Sequence, residues 1–503
     1  MRHTALQTSL IPLLLTIVLV GFVSGCALNP VSGTPDVVFM SEASEINIGS
    51  SNDTKIREQY GVYENPELQA YINRVGQQLA AQSHRPGLGY HFTVLDSPAV
   101  NAFALPGGYI YITRGILAYL NSEAELAAVL GHEIGHVTAR HGVRQYTAAT
   151  ATGFVGAIIG VATGIGATQD LFNKVFGNAI LSGYGRDHEL ESDRLGAEYL
   201  ARTGYDPQAV IKVIGVLKNQ EAYEKKLAAA ENRQPRIYHG VFASHPSADK
   251  RLQEVVGEAD KFKSLSEPKL AREDYFKQID KLAFGIITKS SGKLTKGGLL
   301  YTNRYYLPEI DLAIDLPSGW SLQQTLDTIT ATSTDQQSLL QLDVRELEKN
   351  VTPDEFLRRH MQLSTLPKGG AVTGLSQTSY TTVLPLATAF SARETRAIVV
   401  DHKNRRLFFQ GTARTHEGFT AADPVFLATA RSLRPLKADE KQLMERTGTA
   451  QRLRVIQARP GDTFASLAKK SPLNKNGEDT LRLINNLFPD GEPQAGELIK
   501  IIE

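Results

Sequence analysis

A single short stretch carries side chains whose types and spacing can do chemistry. Within Ser122–Gly142, the run His132-Glu133-Ile134-Gly135-His136 sets two imidazoles four residues apart. On a helix those positions share one face, about one turn apart. Two neutral imidazole nitrogens so placed can bind one Zn²⁺, with Glu133 beside them to handle the proton of a water. A helix whose histidines merely pack is the plainer alternative. Ser122 with Glu125 three residues on forms a capping box, and Gly142 suits a left-handed C-terminal position, so the stretch reads as one helix. Zinc of this type needs a third protein ligand and leaves a fourth position for water. The candidate lies in Gly185–Gly196, where Glu189 and Asp193 are four apart and share a face. Glu189 can ligate, and Asp193 can orient a ligating imidazole from behind. A charged, solvated helix surface is the competing reading of that segment.

The elements that must position these groups follow from periodicity. Ser41 to Gly49 is a first helix candidate, and Asn65-Pro66 starts a better one, with Leu68, Tyr71, Ile72, Val75 and Leu79 at helical spacing. Tyr90 to Leu95 and Tyr109 to Thr113 read as strands, separated by Asn101 to Gly108. The pair Gly107-Gly108 removes side chains where another backbone can approach. Asp187 to Arg202 is a helix closed by Gly204. Asp206 can cap the next, which starts at Pro207 and runs to Leu217, and Glu221 to Arg233 is charge-rich. A further helix opens at His245-Pro246 and runs to about Val256. Gln145 to Gln169 contains no charged residue, and Gly156, Gly160 and Gly164 recur in it. It suits a packing seam, a flap near the metal, or a hairpin touching a membrane.

Residues 266–296 read as a helical linker. Beyond it, strands near Ile310 to Leu316, Ile329 to Ser333, Leu339 to Val344, Ala387 to Phe390, Thr395 to Asp401 and Arg406 to Ala413 combine with helices at Thr352 to Met361 and Pro424 to Ser432. This is an antiparallel α+β unit over 297–440 without a catalytic constellation, its His402 and His416 isolated. Residues 450–503 give strand, helix, helix, strand. They resemble a LysM-type glycan-binding module through Gly461-Asp462-Thr463 and Asn485-Asn486-Leu487. Phe464 stands where Leu is usual, and the segment between the helices is longer. Peptidoglycan binding and a purely packing role both remain open there.

The whole chain has 503 residues, 54 basic against 53 acidic, for a net charge of +1. With no strong basic block, nothing points to nucleic acid. One cysteine excludes an internal disulfide. Its position is informative: Met1-Arg2-His3, the apolar Leu10 to Val20 and the small residues before Cys26 form a secretory signal over 1–25. The ending resembles a bacterial lipobox, implying cleavage before Cys26 and lipid on it. An uncleaved membrane anchor is the alternative. Either places the working chain outside the cytoplasm, and Ala27 by the same resemblance favours the outer membrane of the periplasm.

His132-Glu133-Ile-Gly-His136, Glu189-x-Glu191-x-Asp193 and the later His245-Pro246 with Arg251 together resemble the HtpX-like zinc metallopeptidases. Asn101 to Gly108 and Asn29-Pro30 with Ser41-Glu42 add to the likeness, which covers about Cys26 to Val256. Ser192 stands where the family usually has Ala. The resemblance implies a mainly helical zincin-type metallopeptidase domain with a small sheet over 26–265. The whole is then an α+β multidomain chain. It implies one Zn²⁺ held by His132, His136 and Glu189, with Glu133 as general base. It implies that Tyr109 to Thr113 is an edge strand on which Asn101, Gly108, Tyr109 and Tyr111 receive an extended peptide. His245 would lie near the metal, stabilising the oxyanion or blocking the open position. His141 and His188 are expected to be bystanders. The expected activity is endoproteolysis of unfolded or misassembled envelope proteins. The rival is an envelope-assembly or peptidoglycan-binding lipoprotein with a structural or blocked zinc site.

Overall fold

The structure is a computed structural model. It describes residues 26–38, 40–148, 184–230, 267–285, 289–290, 293–294, 299–301, 303–324, 328–388, 391–441, 451–473 and 476–503. The signal and most of Gln145 to Gln169, together with His245, Pro246 and Arg251, lie outside the described residues.

The strands β1 (Cys26–Leu28) and β2 (Pro35–Val37) pair as a small hairpin. Helix α1 (Glu42–Tyr60) is capped by Ser41 and runs well past Gly49. Helix α2 (Pro66–Ala80) is capped by Asn65, whose side chain accepts from the Leu68 N–H, and buries the apolar stripe its sequence shows. Strands β3 (His91–Leu95), β4 (Ala102–Leu105) and β5 (Tyr109–Thr113) form one sheet in the order β3-β5-β4. The stretch Tyr109 to Thr113 is therefore not an edge. It is central, parallel to β3 and antiparallel to β4, because part of Asn101 to Gly108 is itself a strand. Positive φ at Gly107 and Gly108 makes the turn, and a Cβ on Gly107 would fall 2.6 Å from the Ile46 Cα of α1.

The short α3 (Arg114–Tyr119) leads into α4 (Glu123–Thr138), which carries the two histidines. Every residue of α4 is buried, so it is the central helix of the unit. Its start departs from a standard capping box: Ser122 accepts from the Glu125 N–H, but Glu125 Oε2 accepts from Asn121 N–H at 2.7 Å. Its end departs too. The left-handed residue is Arg140 (φ 56°), not Gly142, and residues 141–148 form a separate helical run. Arg140 holds this conformation through buried bonds to Glu45 Oε1 (2.6 Å) and the Met40 carbonyl (2.7 Å).

Helix α5 (Arg186–Arg202) crosses α4 along small residues. A Cβ on Gly135 would fall 3.0 Å from the Ser192 Cα, and one on Gly196 would fall 3.2 Å from the His132 nitrogen. The two backbones approach this closely because no larger side chain separates them. Helix α6 (Ala209–Ala230) continues through the charge-rich segment after Leu217, its first turn preceded by the Asp206 cap on Gln208. Helix α7 (Arg272–Ile279) and the strand β6 (Ala283–Phe284) complete this region.

The next unit contains the hairpin β7 (Lys289–Ser290) and β8 (Lys293–Leu294), then a sheet of β9 (Leu299–Tyr301), β10 (Arg304–Leu307) and β11 (Leu312–Asp315). Its main sheet comprises β12 (Ser321–Gln324), β13 (Thr328–Thr332), β14 (Ser338–Glu346), β15 (Ser379–Thr388), β16 (Ser391–His402) and β17 (Arg405–Ala413). The strands run antiparallel in the order β12-β13-β14-β17-β16-β15. Helices α8 (Pro353–His360) and α9 (His416–Arg431) pack with this sheet. Helix α9 begins eight residues before Pro424, capped by Thr415, so the proline lies inside it.

The last unit is β18 (Gln451–Gln457), α10 (Phe464–Ala468), α11 (Gly477–Ile484) and β19 (Leu498–Ile502), as the sequence pattern implies. Its sheet gains β6 as a third strand. Leu453, Phe464, Leu481 and Ile499 share one apolar core with α2, α4 and α5.

Candidate metal centre

The crossing of α4 and α5 builds the site. His132 and His136 project from one face of α4, with their Nε2 atoms 3.0 Å apart. Glu189, in the first turn of α5, sets one carboxylate oxygen 3.5 Å from His132 Nε2 and the other 3.5 Å from His136 Nε2. All three residues are buried. A tetrahedral zinc ion with bonds of about 2.0–2.1 Å separates its ligand atoms by about 3.3 Å, so the spacing of this trio fits such an ion. The charges agree. Burial opposes a charge on His132, yet bonding to Asp193 and Glu189 raises it to about 9. Two buried carboxylates therefore call for positive charge at this point, and a divalent cation supplies it as well as protons do.

Asp193, one turn beyond Glu189, lies 2.8 Å from His132 Nδ1 through Oδ1. That leaves His132 Nε2 directed at Glu189, the arrangement expected of a ligating imidazole. Glu133 is buried next to the trio. With His132 and Asp193 it lines a recess whose other walls include Val129, Val213, Ile214 and Leu217. Tyr184 stacks on His136 at 4.3 Å between ring centroids. Burial, then the nearby charges of Glu133 and Glu189, push its phenol up and keep it protonated.

The structure thus brings together His132, Glu133, His136, Glu189 and Asp193. It does not bring Tyr109 and Tyr111 to a peptide-binding edge. Tyr111 is buried, its hydroxyl donating to Asp53 Oδ1 at 2.7 Å, and Tyr109 stacks on His91. The Gly108 carbonyl is taken by the His91 N–H, and Asn101 exchanges bonds with Thr113. Among the described residues the sheet edge nearest α4 is β4. His141 is no bystander. Its Nδ1 lies 2.8 Å from His136 Nδ1 and its Nε2 3.0 Å from Glu191 Oε2. Burial pushes its imidazole down to about 4. His188 stacks on His141 at 4.2 Å.

Two histidines one turn apart and a carboxylate from a second helix form a group that could hold a metal ion. Residues 66–259 match the family model of Peptidase family M48. The chain is 30% identical over 266 residues to "Beta-barrel assembly-enhancing protease" of Yersinia pestis, covering 49% of this chain and 50% of that protein. It is 27% identical over 245 residues to the protein of the same name in Escherichia coli (strain K12), covering 47% and 48%. It is 36% identical over 129 residues to "Mitochondrial metalloendopeptidase OMA1" of Arabidopsis thaliana, covering 26% of each. The chain thus aligns with about half the length of the first two relatives.

Proposed function

We propose that this chain is a zinc-dependent endopeptidase acting on unfolded or misassembled proteins of the bacterial envelope, held at the outer membrane by lipid on Cys26. The observation that carries the reading is the buried trio His132, His136 and Glu189 with Glu133 beside it. His132, His136 and Glu189 would hold the ion. When bound, zinc supplies Lewis acidity, polarising the scissile carbonyl and making water a better nucleophile near neutral pH. Glu133 accepts the proton of the attacking water as its oxygen bonds to the carbonyl carbon. Glu133 then delivers that proton to the amine as the C–N bond breaks. Asp193 keeps His132 in one tautomer throughout. The recess lined by Val129, Ile214 and Leu217 suits an apolar side chain, of the kind an unfolded protein exposes. The envelope substrate class is supported by the likeness to the two β-barrel assembly-enhancing proteases and by the lipobox-like start. Among the described residues no helix is long and apolar enough to cross a membrane.

The test is cleavage of casein and of a denatured outer-membrane protein by the purified chain lacking residues 1–25. Cleavage should stop with a chelator and return with zinc. Glu133→Gln should keep zinc and lose turnover, whereas His136→Ala should lose zinc. A wild-type protein that binds zinc tightly and cuts neither substrate would sink the proposal.

A further inference from the structure

The two imidazoles of α4 are supported differently. His132 meets a carboxylate directly, Asp193 at 2.8 Å. His136 meets another imidazole, and ligation of a metal ion would set where each proton sits. For His136 to offer its Nε2 lone pair to a metal ion shared with His132 and Glu189, its proton must be on Nδ1. That Nδ1 lies 2.8 Å from His141 Nδ1, a pair in which one nitrogen must donate and the other accept. His141 Nδ1 is then the acceptor, and the His141 proton is on Nε2, 3.0 Å from Glu191 Oε2. Arg144 Nη1 lies 3.4 Å from the same carboxylate oxygen. The chain of bonds runs from the Glu191 carboxylate through His141 to His136.

Resting on the metal centre proposed above, we infer that His141 and Glu191 are positioning residues that lock His136 in its ligating tautomer and orientation. The fold places His141 there by an unusual device. Arg140 is left-handed and tied to Glu45 and Met40, which ends α4 and turns the next residue back under His136. His141 is fully buried, its ring set edge-on to His136 and stacked on His188. Ser192 Oγ lies 3.4 Å from the same Nδ1. A helix surface that only needed filling would not place a polar ring with both nitrogens in contact with matching partners. An acceptor behind a ligating imidazole also raises the basicity of its outer nitrogen, which strengthens metal binding.

The experiment measures zinc affinity by competition with a chromogenic chelator, on full-length protein lacking only the signal, for wild type, His141→Leu, His141→Asn and Glu191→Ala. Asparagine offers an amide oxygen about where His141 Nδ1 sits, and leucine fills similar space without an acceptor. Leucine should weaken zinc binding about ten- to a hundredfold, and asparagine should stay close to wild type. Glu191→Ala, at a partly exposed carboxylate, should weaken it in the same direction and decides the matter if the leucine variant does not fold. Wild-type affinity in His141→Leu or in Glu191→Ala, or an equal loss in His141→Asn and His141→Leu, overturns the relay. If wild type itself binds no zinc, the metal-centre reading fails and takes the relay with it. A wild type that binds and cuts, beside an unaffected leucine variant, refutes the relay alone.

Discussion

Asp193 offers His132 Nδ1 a carboxylate, which, unlike an amide, has no N–H to present in its place. Its Oδ1 accepts the Nδ1 proton inside the protein, where an unpartnered N–H would cost about 1–3 kcal/mol. Asp193→Asn can present an N–H in place of that oxygen, favouring the wrong tautomer. The expected outcome is zinc affinity about ten- to a hundredfold weaker, with Glu189 and His136 still in place, measured by chelator competition. The spacing of the candidate site residues, His132 with His136 and Glu189 with Asp193, announced itself in the sequence because it follows helix periodicity, four residues in each helix. His141 did not announce itself. Its place depends on a left-handed Arg140, and arginine carries no signal for that conformation, whereas the nearby Gly142 suggests the wrong position. The signal lay elsewhere, in the buried partner Glu45, whose role only tertiary contact reveals.

At the scale of elements, the site is a consequence of how closely α4 and α5 cross. Gly135 faces the backbone of Ser192, and Gly196 faces that of His132. Gly135→Val would push α5 outward and carry Glu189 away from the paired imidazoles. Overpacking of this kind typically costs about 1–3 kcal/mol. The variant should show a lower melting temperature together with weakened zinc binding, by calorimetry and chelator competition. The start of α4 makes a separate prediction. Burial would raise the Glu123 carboxyl, but bonds from Lys269, Tyr205 and Arg74 outweigh it and lower it to about 2 from an ordinary 4.5. A carboxyl held low in the fold adds stability that is complete above its unfolded pKa and disappears as pH falls through the folded one. Acid destabilisation should therefore be steep between pH 4.5 and about 2, and flatter in Glu123→Gln, as read from melting temperature against pH. Helices were the readable elements, since their caps and apolar stripes are local. The order of the small sheet was not. Ala102 to Leu105 passes as a loop beside Pro106 and two glycines, and only pairing with β5 makes it a strand and moves β5 to the centre.

In the molecule as a whole, the last unit packs against the start of the helix that carries His132 and His136. Lys500 of β19 is fully buried, and its Nζ donates to the carbonyls of Ala118 (2.8 Å) and Leu120 (2.7 Å), just before α4. Burial depresses its pKa and raises that of nearby Glu125, while the attraction between the two opposes both shifts. Around this contact, Leu453, Phe464, Leu481 and Ile499 continue the core of α2 and α4, and β18 pairs with β6. The β-α-α-β pattern was visible from sequence, but its attachment was not, because a lysine in an alternating strand reads as solvent-facing. A module tethered only by its linker would unfold by itself. One that shares a core and a buried hydrogen-bonded contact should unfold together with the helices α2, α4 and α5. Lys500→Met removes the donors and leaves two buried carbonyls without them, a loss of about 1–3 kcal/mol for each group left unsatisfied. In calorimetry of the full chain, the transition that shifts upward on adding zinc should be the one lowered by Lys500→Met. A zinc-sensitive transition unmoved by that substitution would show the terminal module to be energetically separate from the helix that carries His132 and His136.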